Sequence, residues 1–224
     1  MAFELVIFDC DGVLVDSEPI ANRVLSERLA GIGLRMDVDE VMRRFVGRTR
    51  EGCLALATEL AGRELPAGFA EAWDAALFRA FEAELEPVAG VIEVIRGLTV
   101  PLCVAPNSSR ERMAVSLRAA GLLALFEGRM FSAADVARPK PSPDLFLHAA
   151  ASMGAQPSRC AVIEDTPTGV RAAVAAGMAA FGYAGDAESL AAAGATVFRE
   201  MRALPALLRT SRRPASPRPP SSGR

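Results

Sequence analysis

The chain has 224 residues, of which 51% are apolar, 23% charged and only 6% aromatic. That balance suits a globular chain with one good-sized core and a smaller second unit, and its alanine-rich, aromatic-poor make-up favours helices over an all-β design. Net charge is −2, but residues 209–224 carry five arginines and no acid, so the remainder holds 20 basic against 27 acidic side chains. An acidic body is a poor binder of phosphate backbones, so no nucleic acid is expected as a partner of the folded part. The basic Pro/Ser-rich tail, 209–224, is expected to be disordered.

Four cysteines, Cys10, Cys53, Cys103 and Cys160, form no C-x-x-C pair, which points to free thiols in a reducing cytoplasm. The opening MAFELVIF is too short and too acidic for a signal peptide, and no stretch is apolar enough to span a membrane. A cytoplasmic monomer without a membrane partner is expected.

Taken in chain order, Phe3 to Phe8 is a short apolar run that ends abruptly in Asp9-Cys10-Asp11-Gly12, as a buried strand running into a loop does. From Ser17 to Glu84 no strand is expected. The pattern is one of amphipathic helices punctuated at Gly31, Gly33, Gly47, Gly62 and Pro66, a helical insert with hinges at Asp16-Ser17 and Glu86-Pro87. Leu102 to Ala105 is a second strand, ending at Pro106-Asn107-Ser108-Ser109. A helix over 110–120 follows, with Ser109 as its N-cap and Gly121 as its stop. A helix over 143–153 begins with Pro and Asp and closes at Gly154. Cys160 to Ile163 is a third strand, ending at Glu164-Asp165-Thr166, and a helix over 168–176 follows it. Shorter strands are expected at 129–131, 179–181 and 195–198. Strands alternating with helices imply right-handed crossovers and a parallel, Rossmann-like α/β sheet covered on both faces. The expected core is 1–16 plus 85–208, and the inserted helical cap is 17–84.

In such sheets ligands bind at the carboxyl ends of the strands. Asp9 and Asp11, Asn107 and Ser108, and Glu164 and Asp165 all fall at that edge, and Lys140 in Pro139-Lys140-Pro141 is placeable there. Clustered carboxylates repel unless a cation holds them. Mg²⁺ takes one or two carboxylates plus phosphate and water oxygens. A carboxylate nucleophile also needs a second acid to protonate the leaving alkoxide and then activate water. Lys140 is the only lysine in a chain with 24 arginines, and it stands where a compact point charge suits better than a forked guanidinium. The lone histidine, His148, reads as a structural helix residue, since no nucleophile elbow precedes it. Cys10 should face the core, away from its two aspartate neighbours.

These segments resemble a known family. Asp9-Cys10-Asp11-Gly12-Val13-Leu14-Val15-Asp16-Ser17 is similar to the first signature of the haloacid dehalogenase superfamily. Lys140 in Lys-Pro-Ser-Pro-Asp resembles its third signature, and Glu164-Asp165-Thr166-Pro167-Thr168-Gly169 its fourth, all in the family's order over about 3–208. The resemblance implies Asp9 as nucleophile and metal ligand. It implies Asp11 as general acid then base, with its main-chain carbonyl on Mg²⁺. It makes Asp165 a direct ligand, has Glu164 hold the ion directly or through water, and has Lys140 bridge the nucleophile and the phosphoryl oxygens. An acid at Asp11 resembles the phosphate-transferring members, not the true dehalogenases. The implied activity is a phosphatase acting on a small phosphorylated metabolite, a sugar phosphate or sugar-acid phosphate, through an aspartyl-phosphate.

The cap resembles that of the subfamily containing β-phosphoglucomutase and phosphogluconate phosphatase. Gly47-Arg48-Thr49-Arg50-Glu51 is similar to the loop that enters the site there, so Arg48 or Arg50 is expected to meet a carboxylate or second phosphate, and Glu18 and Asn22 sugar hydroxyls. The mutases carry a histidine on the first cap helix, where this chain has Ala21 or its neighbours. A phosphomutase is therefore the alternative reading and not the leading one. One departure stands out: the family's second signature puts Ser or Thr directly after its strand, and this chain has Pro106. Proline brings neither a hydroxyl nor an N–H, which opens a third reading, a homologue of impaired turnover that binds or regulates. Ser108 and the main-chain N–H groups of Asn107 and Ser108 are the expected substitutes.

Overall fold

The structure, a computed structural model, describes residues 3–45 and 48–210. Five strands form one parallel sheet: β1 (Leu5–Phe8), β2 (Leu102–Val104), β3 (Cys160–Glu164), β4 (Ala179–Tyr183) and β5 (Thr196–Phe198), in the order β2-β1-β3-β4-β5. β1 is an interior strand, with Ile7 paired to Cys103 on one side and Val162 on the other. Every residue of β1 and β3 is buried, which is why these strands read as unbroken apolar runs and not as alternating ones. Alternation survives in what each face touches. Val6 and Phe8 join the larger core cluster, and Leu5 and Ile7 the other.

Between β1 and β2 the chain forms α1 (Glu18–Gly31), α2 (Val38–Phe45), α3 (Arg50–Ala61), α4 (Phe69–Glu84) and α5 (Val91–Gly97). The helical insert is an assembly of α1 to α4, with α4 packed along α1. In α4 the buried residues are Phe69, Trp73, Leu77 and Phe81, one every fourth position, so a single stripe faces inward. The two chain crossings at the expected hinges lie side by side. Asp16 N–H donates to the Glu86 carbonyl at 3.2 Å, and Val88 N–H to that of Leu14 at 3.0 Å.

The remaining helices are α6 (Arg110–Ala119), α7 (Asp144–Ser152), α8 (Pro167–Ala175), α9 (Ala187–Ala192) and α10 (Leu204–Thr210). Ser109 caps α6 by accepting from Arg112 N–H, and Thr166 caps α8 by accepting from Gly169 N–H. All four cysteines are free and buried, and Cys10 belongs to the core.

The structure differs from expectation at two places. Residues 129–131 make only one bridge, Val104 to Met130, not a strand. The turn at Gly128 (φ 71°) precedes them and a capping box at Ser132 and Asp135 follows, which leaves too few residues for a ladder. Helix α10 also runs on through Arg209 and Thr210, where the tail was expected to begin. The rest of that expected tail, 211–224, lies outside the described residues.

Phe126 is fully buried and packs edge-on against Phe8, ring centroids 6.4 Å apart. Truncating it in Phe126→Ala leaves a void that the sheet cannot refill. Urea unfolding is expected to show a loss of about 3–5 kcal/mol.

Candidate active site

The strand ends set the site. β1 delivers Asp9 and then the turn holding Asp11. Gly12, at φ 75°, makes that turn possible, and a Cβ there would lie 2.1 Å from Asp165 Oδ2. β3 delivers Glu164 and Asp165. A Cβ on Gly169 would sit 1.8 Å from Glu164 Oε1, so only glycine lets the first turn of α8 cover that carboxylate. These contacts give the glycines of both signature segments a physical reason.

Lys140 joins the two strand ends. Its buried ammonium donates to Asp9 Oδ1 and to Glu164 Oε1, each at 2.6 Å, and lies 4.6 Å from the ring centre of Phe146. The loop bearing Lys140 is fixed by Asn107. Its amide Nδ2 donates to the Lys140 carbonyl at 3.1 Å, and its Oδ1 accepts from the Lys140 N–H at 3.0 Å. The other Glu164 oxygen, Oε2, accepts from the Thr166 hydroxyl at 2.9 Å. Asp9, Glu164 and Asp165 each present an oxygen within 4.8 Å of the others, and Asp165 Oδ1 is buried without a hydrogen-bond partner among the described residues. Three convergent carboxylates, one ammonium and one orphaned buried oxygen fit a hard divalent cation with oxygen ligands.

Asp11 sits in different company. Its Oδ1 accepts from the Ser17 hydroxyl at 2.6 Å and from Arg112 Nη2 at 3.0 Å. The Ser108 hydroxyl is buried beside it without a well-formed partner of its own. Burial alone would raise the Asp11 carboxyl, but the Arg112 charge and the Ser17 hydrogen bond outweigh it, and the group lies below the ordinary carboxylate value. Asp9 goes the other way. Burial, reinforced by Glu164 and Asp11, outweighs Lys140 and pushes it from 3.8 to about 7. Burial and the charges of Asp9 and Glu164 likewise hold Asp165 well above its usual value. Carboxylates pushed up together in this way call for a cation.

A cavity of about 880 Å³ opens over this cluster, and all eleven residues singled out in the sequence line it. Asp9, Asp11, Asn107, Ser108, Lys140, Glu164 and Asp165 form its floor, and Glu18, Asn22, Arg48 and Arg50 come from the helical insert. Asn22 is buried, whereas Arg50 forms a two-pronged pair with Asp74 at 2.6–3.1 Å, so its guanidinium is already engaged. Arg48 is anchored through Nε to the Arg44 carbonyl at 2.8 Å. Pro106 lines the floor and offers no donor there. His148 lies outside the cavity, edge-on to Phe131 at 5.5 Å. Sequence reasoning missed Arg112, one arginine among 24, and the roles of Ser17 and Thr166. The last two fall inside the recognised signature segments, whereas nothing in the pattern marked Arg112.

A parallel α/β sheet whose strand ends bring a buried lysine together with three carboxylates, under a helical insert, defines a class of hydrolase. The model of the haloacid dehalogenase-like hydrolases matches residues 3–177. The 6-phosphogluconate phosphatase of Escherichia coli is 33% identical over 184 residues, which cover 82% of this chain and 83% of that one. A haloacid dehalogenase-like protein of Agrobacterium tumefaciens superposes with a TM-score of 0.79 at 38% identity, covering 92% of this chain and 98% of that one. A hydrolase of the same family from Deinococcus radiodurans, solved with bound phosphate and sodium, superposes at 0.77 with 34% identity, over 92% and 95% of the two chains. The chain belongs to the haloacid dehalogenase-like hydrolase family and is a phosphoric monoester hydrolase.

The raised Asp9 carboxyl makes a stability prediction. Its folded value, about 7, exceeds the unfolded 3.8, so the native state keeps a proton that the unfolded chain releases. That contribution is present at low pH and is lost as pH rises from about 4 through about 7. In EDTA at alkaline pH, Asp9→Asn is expected to melt at least about 2–4 °C above wild type, the response of a chain this size to about 1 kcal/mol. Mg²⁺ should raise wild type and leave the variant nearly unchanged. Differential scanning calorimetry across pH, with and without Mg²⁺, reads both effects.

Proposed function

We propose that this chain is a Mg²⁺-dependent phosphatase of a small phosphorylated metabolite, a sugar phosphate or sugar-acid phosphate such as phosphogluconate, working through an aspartyl-phosphate on Asp9. The observation that carries this reading is the Lys140 ammonium held between Asp9 and Glu164 at the floor of the cavity. The carboxylates of Asp9, Glu164 and Asp165, with the Asp11 main-chain carbonyl, would hold the cation. When bound, it supplies neutralisation of phosphate charge so that an anionic nucleophile can approach.

The protein's own groups supply the rest. Asp9 attacks phosphorus through the oxygen that Lys140 leaves free. The bond from phosphorus to the leaving oxygen breaks, and Asp11 gives that oxygen its proton. Asp11, now a carboxylate, takes a proton from water, whose oxygen attacks the acyl phosphate and releases phosphate and Asp9. In the resting site Asp11 is held ionised, the form that the second half-reaction needs, and a phosphate dianion beside it favours the protonated form that the first half needs. Lys140 balances charge on Asp9 and on the transferring group. With Asn107's amide engaged on Lys140, its contribution to the phosphate is its main-chain N–H, beside that of Ser108 at the start of α6. The buried Ser108 hydroxyl takes the part that Pro106 cannot.

We take residues 17–84 as a cap that closes over a core of 1–16 and 85–208 and selects the substrate. Arg48 is the cap cation for a carboxylate or second phosphate, and Asn22 and Glu18 meet hydroxyls. Ala21 lines the cavity without a proton-transfer group, which favours hydrolysis over isomerisation. The likeness to the 6-phosphogluconate phosphatase supports sugar-acid phosphates as the first class to test.

Phosphate release from a panel of sugar phosphates and phosphogluconate is expected to need both Mg²⁺ and Asp9, with Asp9→Asn losing at least about 10³-fold. Ser108→Ala should lower kcat/KM about 10- to 100-fold, the worth of one hydrogen bond to a charged group at about 1.5–3 kcal/mol. Pro106→Ser should raise it by less than about 10-fold. Isomerised sugar phosphate without net phosphate release would replace this reading with the mutase. A leap from no activity to brisk turnover in Pro106→Ser would replace it with the impaired homologue.

A further inference from the structure

Both hydrogen bonds to the Asp11 side chain fall on one oxygen, and both donors are tied to the helical insert. Ser17 is the residue at which the chain first enters α1, and its hydroxyl, fully buried, lies 2.6 Å from Asp11 Oδ1. Arg112 stands on α6, along which α4 packs. Its Nη2 reaches the same Oδ1 at 3.0 Å, and its guanidinium lies 5.5 Å from the ring centre of Phe81 on α4, a residue with no exposed surface. Arg112 Nε is buried without a partner among the described residues, so the head group is held by Asp11 at one edge and by Phe81 at its face. A planar guanidinium can donate in its plane and stack on a ring at once, which a lysine ammonium cannot.

We propose that Arg112 is a positioning residue for Asp11. With Ser17 it pins Oδ1, leaving the other oxygen to face the leaving group, and through Phe81 it makes that orientation depend on α4 being seated on α6. Protonation of the leaving group is then coupled to closure of the insert over the core. This rests on the reading of Asp11 as the general acid and base. An acid misplaced by about 1 Å loses much of its effect. That loss is felt where the leaving group needs a proton and is muted where it does not.

The test compares two esters in the full-length protein with Mg²⁺: glycerol phosphate, whose alkoxide must be protonated, and para-nitrophenyl phosphate, whose phenolate leaves without help. R112M is expected to lose about 30- to 100-fold in kcat on the alkyl ester and less than about 5-fold on the aryl ester, with each KM within about 3-fold. R112K should recover only a small part of the loss. F81L, which leaves Arg112 in place, should shift the alkyl-to-aryl ratio in the same direction by about 3- to 10-fold. Should R112M fail to fold, R112K and F81L carry the same comparison. Equal losses on both esters, or a loss confined to KM, would overturn the proposal and leave Arg112 as an interface cation. Failure of the phosphatase reading looks different: wild-type turnover of both esters would be absent, or would persist in D9N.

Discussion

The site depends on one buried ammonium. Lys140 Nζ lies 2.6 Å from Asp9 on β1 and 2.6 Å from Glu164 on β3, and no other cation among the described residues is bonded to either. Taking carboxylates out of water is costly, and losing the ammonium would leave both without a cation, a loss that typically costs about 3–5 kcal/mol for a buried pair. The surroundings serve to keep that ammonium in place. Asn107 clamps its main chain from both sides, and Thr166 occupies the second oxygen of Glu164. Gly169 opens the room that the carboxylate needs. Even so, one ammonium against Asp9, Glu164 and Asp165 leaves negative charge in excess, which adds to burial in raising Asp9 and Asp165 and suits the cluster to a divalent ion.

This arrangement divides the two aspartates of the first turn. Asp9 points into the carboxylate cluster and is raised. Asp11, two residues on, meets a guanidinium and a hydroxyl and is lowered. Neighbouring acids whose surroundings push them apart are suited to different tasks, nucleophile and proton carrier. The sheet provides the first environment, whereas the second is assembled at the seam between the sheet's helices and the inserted ones, where Ser17, Arg112 and Phe81 meet.

Much of this was legible in the sequence for a plain reason. Strands buried on both faces are short apolar runs, and the polar residue that ends each run must lie at the carboxyl edge, where ligands bind. Asp9, Glu164 and Asp165 could thus be placed from their positions alone, and Lys140 from its Pro139-Lys140-Pro141 segment ahead of a helix, with its being the only lysine as added support. Contacts across long sequence separations were not legible. Arg112 meets Asp11 across 101 residues, and Arg50 is taken up by Asp74 on a different helix. The sequence marked the main-chain N–H of Asn107 for the phosphate, but not its side-chain clamp on the Lys140 main chain, 33 residues on. The expected strand at 129–131, half-buried beside β2, failed because the flanking turns at Gly128 and Ser132 cut the ladder to a single bridge.

The central claim is that Asp9 carries the phosphoryl group. The most direct measurement is to quench the enzyme during turnover, reduce with borohydride, and identify the residue at position 9 by peptide mass spectrometry. An acyl phosphate is reduced to the alcohol, so the account predicts homoserine in place of Asp9, present only when substrate was supplied. Phosphate release with Asp9 recovered unmodified, under conditions in which a control acyl phosphate is reduced, would contradict it.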